Sequence, residues 1–203
     1  MENISYCRYL TRVSRTWTDD HYRSRDIVKA MKGRPFGGYC HLPIGGVRRL
    51  LDQTRPQIAT DWFLECVVDE TDFDDGLYSL VPIPDRNKTP TATHLARTFI
   101  LAQKLRDRLP DQFDIWDHLR FRRPMPEKTR DEEALYANMI CTSDKPPAGY
   151  VILFDDVCTT GAHARAARRR LIELGAKDFC AMSVARTMLQ PDEDVFGFRS
   201  EPI

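Results

Sequence analysis

The chain has 203 residues, 30 lysines and arginines against 30 acids, and 42% hydrophobic residues. That length buries one good core and fits one domain with an appendage, and the balanced charge excludes a global pull toward nucleic acid or an anionic membrane. No apolar run reaches the roughly 18 residues of a membrane span, MENISYCRYLTR lacks the apolar stretch of a signal peptide, and the cysteines are scattered, so the chain reads as cytoplasmic with free thiols.

In chain order, residues 1 to 75 hold short apolar pieces broken by Gly37-Gly38, Gly45-Gly46 and Pro56. A helix over Thr60 to Val68 and an acidic turn from Asp69 to Asp75 follow. This stretch is read as an accessory region, and residues 76 to 203 as the core. The core opens near Gly76 with a strand to Pro84, a polar loop through Pro90 and a helix from Thr91 to Leu109, stopped by Pro110. Residues 110 to 148 are charged and proline-rich, so the part before Thr129 is expected to be a mobile loop. The pattern Thr129-Arg130-Asp131-Glu132 predicts a capping box opening a helix through Met139. A strand from Tyr150 to Asp156, a helix from Ala162 to Leu174, a stop at Gly175 and a strand from Asp178 to Thr187 complete an α/β pattern.

The run YVILFDDVCTTGAHA, Tyr150 to Ala164, carries the chemistry. Four apolar residues in a row suit a strand buried on both faces, as in a parallel sheet covered by helices. Ligands of such sheets bind beyond the carboxyl ends of the strands, where Asp155 and Asp156 emerge. Carboxylates only accept hydrogen bonds, so the pair suits ribose hydroxyls or hydrated magnesium beside a phosphate. The hydroxyls of Thr159 and Thr160 can donate to that phosphate, Gly161 admits the backbone closely, and the helix start at Ala162 offers N–H groups. Competing meanings are weaker. A Walker B strand needs a G-x-x-x-x-G-K-[ST] loop, which the chain lacks; a phosphoacceptor receiver places its acids near the start; and two acids that merely cap a helix leave the glycine unexplained.

Residues Val151 to His163 resemble the phosphoribosyl-pyrophosphate (PRPP) motif of type I phosphoribosyltransferases: four apolar residues, two acids, two apolar, then Thr-Thr-Gly-Ala. Cys158 replaces an aliphatic residue of the motif and reads as a small apolar substitute rather than a nucleophile activated by the helix start. His163 replaces a small or hydroxyl residue and is expected to point to solvent, the alternative being a place over the phosphate. LYSLVPIP, THLARTFILAQKL and FCAMSVART extend the resemblance, over residues 77 to 187, to the subgroup related to the competence protein ComF. Tyr9 and RDIVKAMKGRPF add a weak likeness upstream. The zinc ribbon common in that subgroup is absent, because no C-x-x-C pair occurs.

The resemblance implies an α/β fold of the type I phosphoribosyltransferase kind, a mainly parallel sheet flanked by helices, with an N-terminal hood that supplies the acceptor side. It implies transfer of ribose 5-phosphate from PRPP to a nitrogen acceptor with release of pyrophosphate. Asp155 and Asp156 would hold the ribose, residues Cys158, Thr159, Thr160, Gly161, Ala162 and His163 the phosphate, and substrate-bound Mg²⁺ would lie near the acids without a protein ligand assigned. Arg86 and Lys88 fall in the pyrophosphate-loop position, and Arg120, Arg122 and Arg123 in the mobile-loop position. The alternative is a module of the same fold that senses PRPP or a nucleotide without turnover. The partners implied are PRPP and the acceptor, with no membrane; nucleic acid is disfavoured and a homodimer is compatible. Arg165, Arg168, Arg169 and Arg170 read as a solvated helix face ahead of a polyanion patch. The five histidines show no metal-binding spacing, and the three tryptophans are expected to pack in the accessory region and its contacts.

Overall fold

Alternating burial of the Tyr150–Cys158 strand organises the molecule: Val151 and Leu153 face one hydrophobic layer, Ile152 and Phe154 the other. In this computed structural model residues 1–10, 17–71, 73–74, 76–127, 129–188 and 194–203 are described. The elements are β1 (Glu2–Leu10), α1 (Asp19–Met31), β2 (Cys40–Ile44), β3 (Val47–Leu51), α2 (Gln57–Glu70), β4 (Tyr78–Pro82), α3 (Arg97–Arg108), β5 (Phe113–Ile115), β6 (Leu119–Phe121), α4 (Glu132–Asn138), β7 (Met139–Cys141), β8 (Tyr150–Cys158), α5 (Ala162–Glu173), β9 (Phe179–Met188) and β10 (Phe196–Pro202).

The fold is mixed α/β with a mainly parallel central sheet flanked by helices. Its strand order is β10-β1-β9-β8-β4-β5, and only the edge strand β10 runs antiparallel to its neighbour. From β4 the chain steps outward to β5, then returns across β4 to β8 and continues the other way to β9. The sheet therefore reverses its winding between β4 and β8, and a reversal opens a crevice at the carboxyl ends of those two strands. Helices α1, α2 and α3 cover one face, where Phe63 of α2 stacks on Phe154 at 6.5 Å between ring centroids. Helices α4 and α5 cover the other, and its core holds Val81, Leu119, Phe121, Leu135, Val151 and Leu153.

Residues 1–75 do not stand beside the sheet: β1 lies inside it, parallel to β9 from Asn3↔Ala181 to Leu10↔Met188. The remainder of that region, α1, the β2–β3 hairpin and α2, packs on the α3 face. Tyr6 of β1 meets Trp62 edge-on at 5.1 Å and Phe198 of β10 at 4.9 Å, joining both termini of the fold to α2. Trp116, by contrast, packs in the opposite core and donates to the Lys145 carbonyl at 3.2 Å.

Several element boundaries move for local reasons. The helix expected from Thr91 starts only at Arg97, because residues 89–96 carry turns, with Ala92 N donating to the Thr89 carbonyl at 3.0 Å. The capping box expected at Thr129 is replaced by an N-cap at Asp131, which accepts from Glu133 N at 3.0 Å and Ala134 N at 3.4 Å; Thr129 Oγ1 turns back to the Pro126 carbonyl. Gly175 ends α5 as expected: Ala176 N reaches the Leu171 carbonyl at 3.0 Å and Gly175 N the Ile172 carbonyl at 2.9 Å, the paired bonds of a Schellman turn. The stretch expected to be a mobile loop is anchored over much of its length. β5 pairs with β4, β6 pairs with β7, and Trp116, Leu119, Phe121 and Met125 are buried. Lys128, and parts of the acidic turn at residues 72 and 75, lie outside the described residues.

Candidate functional site

Asp155 and Asp156 emerge at the end of β8 and, as successive residues of a strand, leave its backbone in different directions. Asp156 turns toward α1, where Lys32 Nζ stands 3.8 Å from its Oδ1. Asp155 lines the cavity beneath the β8–α5 turn together with Thr159, Gly161, Ala162 and His163. Asp156 N donates to Asp155 Oδ1 at 2.8 Å, which fixes that carboxyl against the backbone. Burial, then the neighbouring Asp156 charge, pushes the Asp155 carboxyl well above the ordinary carboxylate range, with Lys32 acting against both.

The turn itself is built on Gly161, whose φ of +75° places it in the left-handed region at the N-cap of α5. A Cβ there would lie 2.7 Å from Ile203 Cβ and 3.1 Å from an Arg165 guanidinium nitrogen, so conformation and space both require glycine. Ala162 N approaches Thr160 Oγ1 at 3.4 Å, and Arg165 braces the turn by donating to the Thr160 carbonyl at 2.8 Å and to Glu132 Oε2 at 2.6 Å. The first N–H groups of the twelve-residue α5 lack partners within the helix and carry the positive end of its dipole.

The crevice between β4 and β8 is a cavity of about 230 Å³. The β8 side contributes Asp155, Asp156, Thr159 and His163; facing them are Lys32, Asp85, Arg86, Arg97 and Thr98. Thr98 Oγ1 donates to the Ile83 carbonyl at 2.8 Å, tying α3 to the end of β4. Of the two pyrophosphate-loop candidates, Arg86 lines this crevice and Lys88 does not: Lys88 is buried and donates to the His94 carbonyl at 2.7 Å, holding the loop closed on itself. Asp85 pairs with His94 at 2.9 Å.

The three candidates from the expected mobile loop are placed away from the crevice. Arg120 forms a two-pronged pair with Asp117 at 2.9 and 3.1 Å, while Arg122 and Arg123 line a separate open hollow with Met125, Ala137 and Asn138. Their segment still supports the site, because Phe121 N and Met125 N donate to the Lys88 and Arg86 carbonyls, both at 2.9 Å. His163 departs from its expected solvent-facing position: it is half-buried, lines the crevice and meets Phe121 edge-on at 6.4 Å. Burial lowers its pKa, with Asp156 opposing. Cys158 is buried, and burial followed by the Asp155 charge pushes its thiol up to about 11, the opposite of nucleophile activation.

Lys32 and Arg97 are functional candidates that reading the sequence missed. Lys32 lay in the quoted RDIVKAMKGRPF segment, but a lysine after a helix carries no signal of what it faces; the signal is the contact with Asp156. Arg97 donates to the Lys32 carbonyl, linking the start of α3 to the end of α1. The arginines of α5 are engaged rather than presented. Arg165 and Arg169 pair with Glu132, Arg170 pairs with Glu173, and Arg168 lies over the Phe179 ring at 5.6 Å.

No protein-family model and no curated protein matches the chain. Among solved structures it is similar to the purine phosphoribosyltransferase from Pyrococcus horikoshii Ot3, with 19% identity, a TM-score of 0.36, and coverage of 70% of this chain and 82% of that one. Among the described residues no helix is long and apolar enough to cross a membrane, and no cluster of three His, Cys, Asp or Glu residues is arranged to hold a metal ion.

Proposed function

We propose that the chain is a PRPP-dependent phosphoribosyltransferase acting on a nitrogen acceptor. The observation that carries this reading is the convergence, at the winding reversal between β4 and β8, of an acid pair, a Thr-Thr-Gly turn at a helix start and three cationic side chains in one crevice. The residues quoted from LYSLVPIP to FCAMSVART support the finer placement near ComF-like proteins, in cytoplasmic nucleotide metabolism.

In this reading the 5-phosphate sits on the backbone N–H groups and hydroxyls of residues 159–163, where the α5 dipole favours an anion without a side-chain charge. Asp155 and Asp156 accept hydrogen bonds from the ribose hydroxyls and so fix the sugar. Arg86, Arg97 and Lys32 face the pyrophosphate. The acceptor nitrogen donates its lone pair to C1, the C1–O bond to pyrophosphate breaks with its electrons leaving on that oxygen, and the acceptor loses a proton. The cations stabilise the growing negative charge, while the cradle holds C1 in line with the acceptor. The donor set of the crevice, three carboxylates beside three cations, fits a magnesium ion carried by PRPP oxygens. That ion supplies further neutralisation of the leaving pyrophosphate. No side chain is assigned as its ligand.

A second reading, a PRPP- or nucleotide-sensing module, is favoured by the charged and polar lining of the crevice, Lys32, Asp85, Arg86 and Arg97 among it, since a flat nucleobase prefers an apolar slot. The two are separated by incubating the protein with PRPP and Mg²⁺ and a panel of nucleobases and amines. Pyrophosphate release with one acceptor supports transfer; saturable PRPP binding with no pyrophosphate across the panel removes the enzyme reading and leaves the sensor.

A further inference from the structure

Asn3 belongs to β1, far in sequence from the acid pair, yet it lines the same small cavity as Asp155 beneath the β8–α5 turn. It is 1% exposed, and its Nδ2 has no hydrogen-bond partner among the described residues. The other end of the amide is fixed, because the buried Ser183 hydroxyl donates to Asn3 Oδ1 at 3.2 Å, which leaves the two N–H donors to the remaining space. A buried donor left unsatisfied costs about 1–3 kcal/mol, so such groups in native folds have a partner that explains them. The cavity volume of about 20 Å³ is the room one water requires. Its lining includes Asp155, Thr159 and His163 beside Asn3, so it offers a water more than one polar partner, whereas a purely apolar void would stay dry.

We propose that Asn3 is a positioning residue for Asp155, acting through a single buried water that accepts from the Asn3 amide and donates to the carboxylate. Asp155 Oδ1 already accepts from Asp156 N, so the water adds a further donor to the ionised group. The charged and titratable groups around Asp155 include Asp156 on its own strand, Lys32 at the end of α1, His163 on α5, Cys158 at the end of β8, and Asp85, Arg86 and Arg97 across the crevice, with Arg165 of α5 and Arg186 of β9 acting on the adjoining Cys158. Lys32 pairs with Asp156, Asp85 and Cys158 carry no positive charge, Arg86 and Arg97 line the crevice rather than this cavity, and His163 lines both, which leaves the unpartnered Asn3 amide as the buried donor at this end of β1. Asn3 therefore offsets part of the burial that disfavours the Asp155 charge and stabilises its ionised form. That the carboxylate receives ribose hydroxyls rests on the reading above; the coupling of Asn3 to Asp155 does not.

The test follows the Asp155 carboxyl ¹³C resonance against pH in the free protein, without PRPP. In Asn3→Leu the midpoint rises by about half a pH unit or more, because loss of a hydrogen bond to the charged form raises a carboxyl pKa. Asn3→Ser keeps a donor and the room for water, and moves the midpoint by less than half as much. An unmoved midpoint in folded Asn3→Leu, or equal shifts in both variants, overturns the proposal. Should Asn3→Leu fail to fold, a high-resolution crystal structure of the wild-type protein decides: a water within hydrogen-bond distance of both Asn3 Nδ2 and Asp155 supports it, and a cavity without one overturns it. The pH midpoint of PRPP binding should shift in parallel. A shift in the ¹³C titration with no PRPP binding in the wild-type protein refutes the transferase reading alone.

Discussion

The two walls of the crevice are built from different materials. The β8–α5 wall is backbone and small side chains: Gly161 in a left-handed turn, Ala162 and Ala164 buried, and Arg165 used as a brace. The opposite wall is made of long cations, Lys32, Arg86 and Arg97, reaching in from α1, the loop after β4 and α3. A backbone cradle holds its donors in one geometry and bears almost no substitution, whereas long side chains supply charge that adjusts to the ligand and can be removed singly at modest cost. The contrast teaches that shape at this site is demanded on one side and charge on the other.

The largest effect should come from breaking the rigid wall. Gly161→Val combines a positive φ with a Cβ that meets Ile203, and is expected to cost about 1–3 kcal/mol of stability and to remove PRPP binding. Denaturant unfolding and a ligand-induced thermal shift measure the two losses, and unchanged PRPP affinity would refute the cradle. The double variant Asp155→Asn, Asp156→Asn should also lose PRPP·Mg²⁺ binding while keeping the fold, seen by calorimetry and circular dichroism; retained affinity would exclude the ribose role.

Asp155→Asn alone sharpens the comparison through stability. The folded-state pKa of Asp155 lies above its unfolded value, so its contribution is fully present below the ordinary carboxylate pKa near about 4 and is lost as pH rises through the raised one. Asparagine does not titrate, and so the melting temperature of the variant relative to wild type should climb with pH over that window. A difference independent of pH would mean that Asp155 is not held in the protonation-favouring site described.

The cationic wall should yield smaller changes. Lys32→Ala leaves Asp156 without its 3.8 Å partner, and PRPP affinity should fall roughly three- to tenfold, about 1 kcal/mol, as befits a partly exposed pair. Arg86→Ala should behave alike, while Lys88→Ala should destabilise the loop, because Lys88 is spent on the His94 carbonyl. The smallest effect concerns His163: its burial predicts a titration midpoint below that of a free imidazole, to be checked by NMR titration of the ring, and a midpoint at or above the free value would refute it.

Local patterns carried far through the core. The apolar run before Asp155 suits a strand covered on both faces, which the structure shows, and Gly161 and Gly175 mark both ends of α5 because their positive φ values bar most other residues. The N-terminal third was harder to read. β1 alternates poorly, since Asn3, Ser5 and Arg8 are all buried and polar, so periodicity conceals a central strand whose burial comes from β9 and β10. The charged segment from Asp111 to Pro126 reads as a loop because the few apolar residues that anchor it, Trp116, Leu119, Phe121 and Met125, are spaced too irregularly to announce their burial.

The acid pair, the turn that follows it and the strand and helix on either side are written in the order of the residues, because they depend on bonds between neighbours along the chain. Which cations face that pair follows from how distant elements pack. Lys32 and Arg97 arrive from elements brought together by packing on the α1–α3 face, Lys88 is turned away by a loop hydrogen bond, and Asn3 shares a cavity with Asp155 because β1 lies beside β9. Contacts across a sheet join residues that no local spacing relates, and so they become legible only when the strands are ordered.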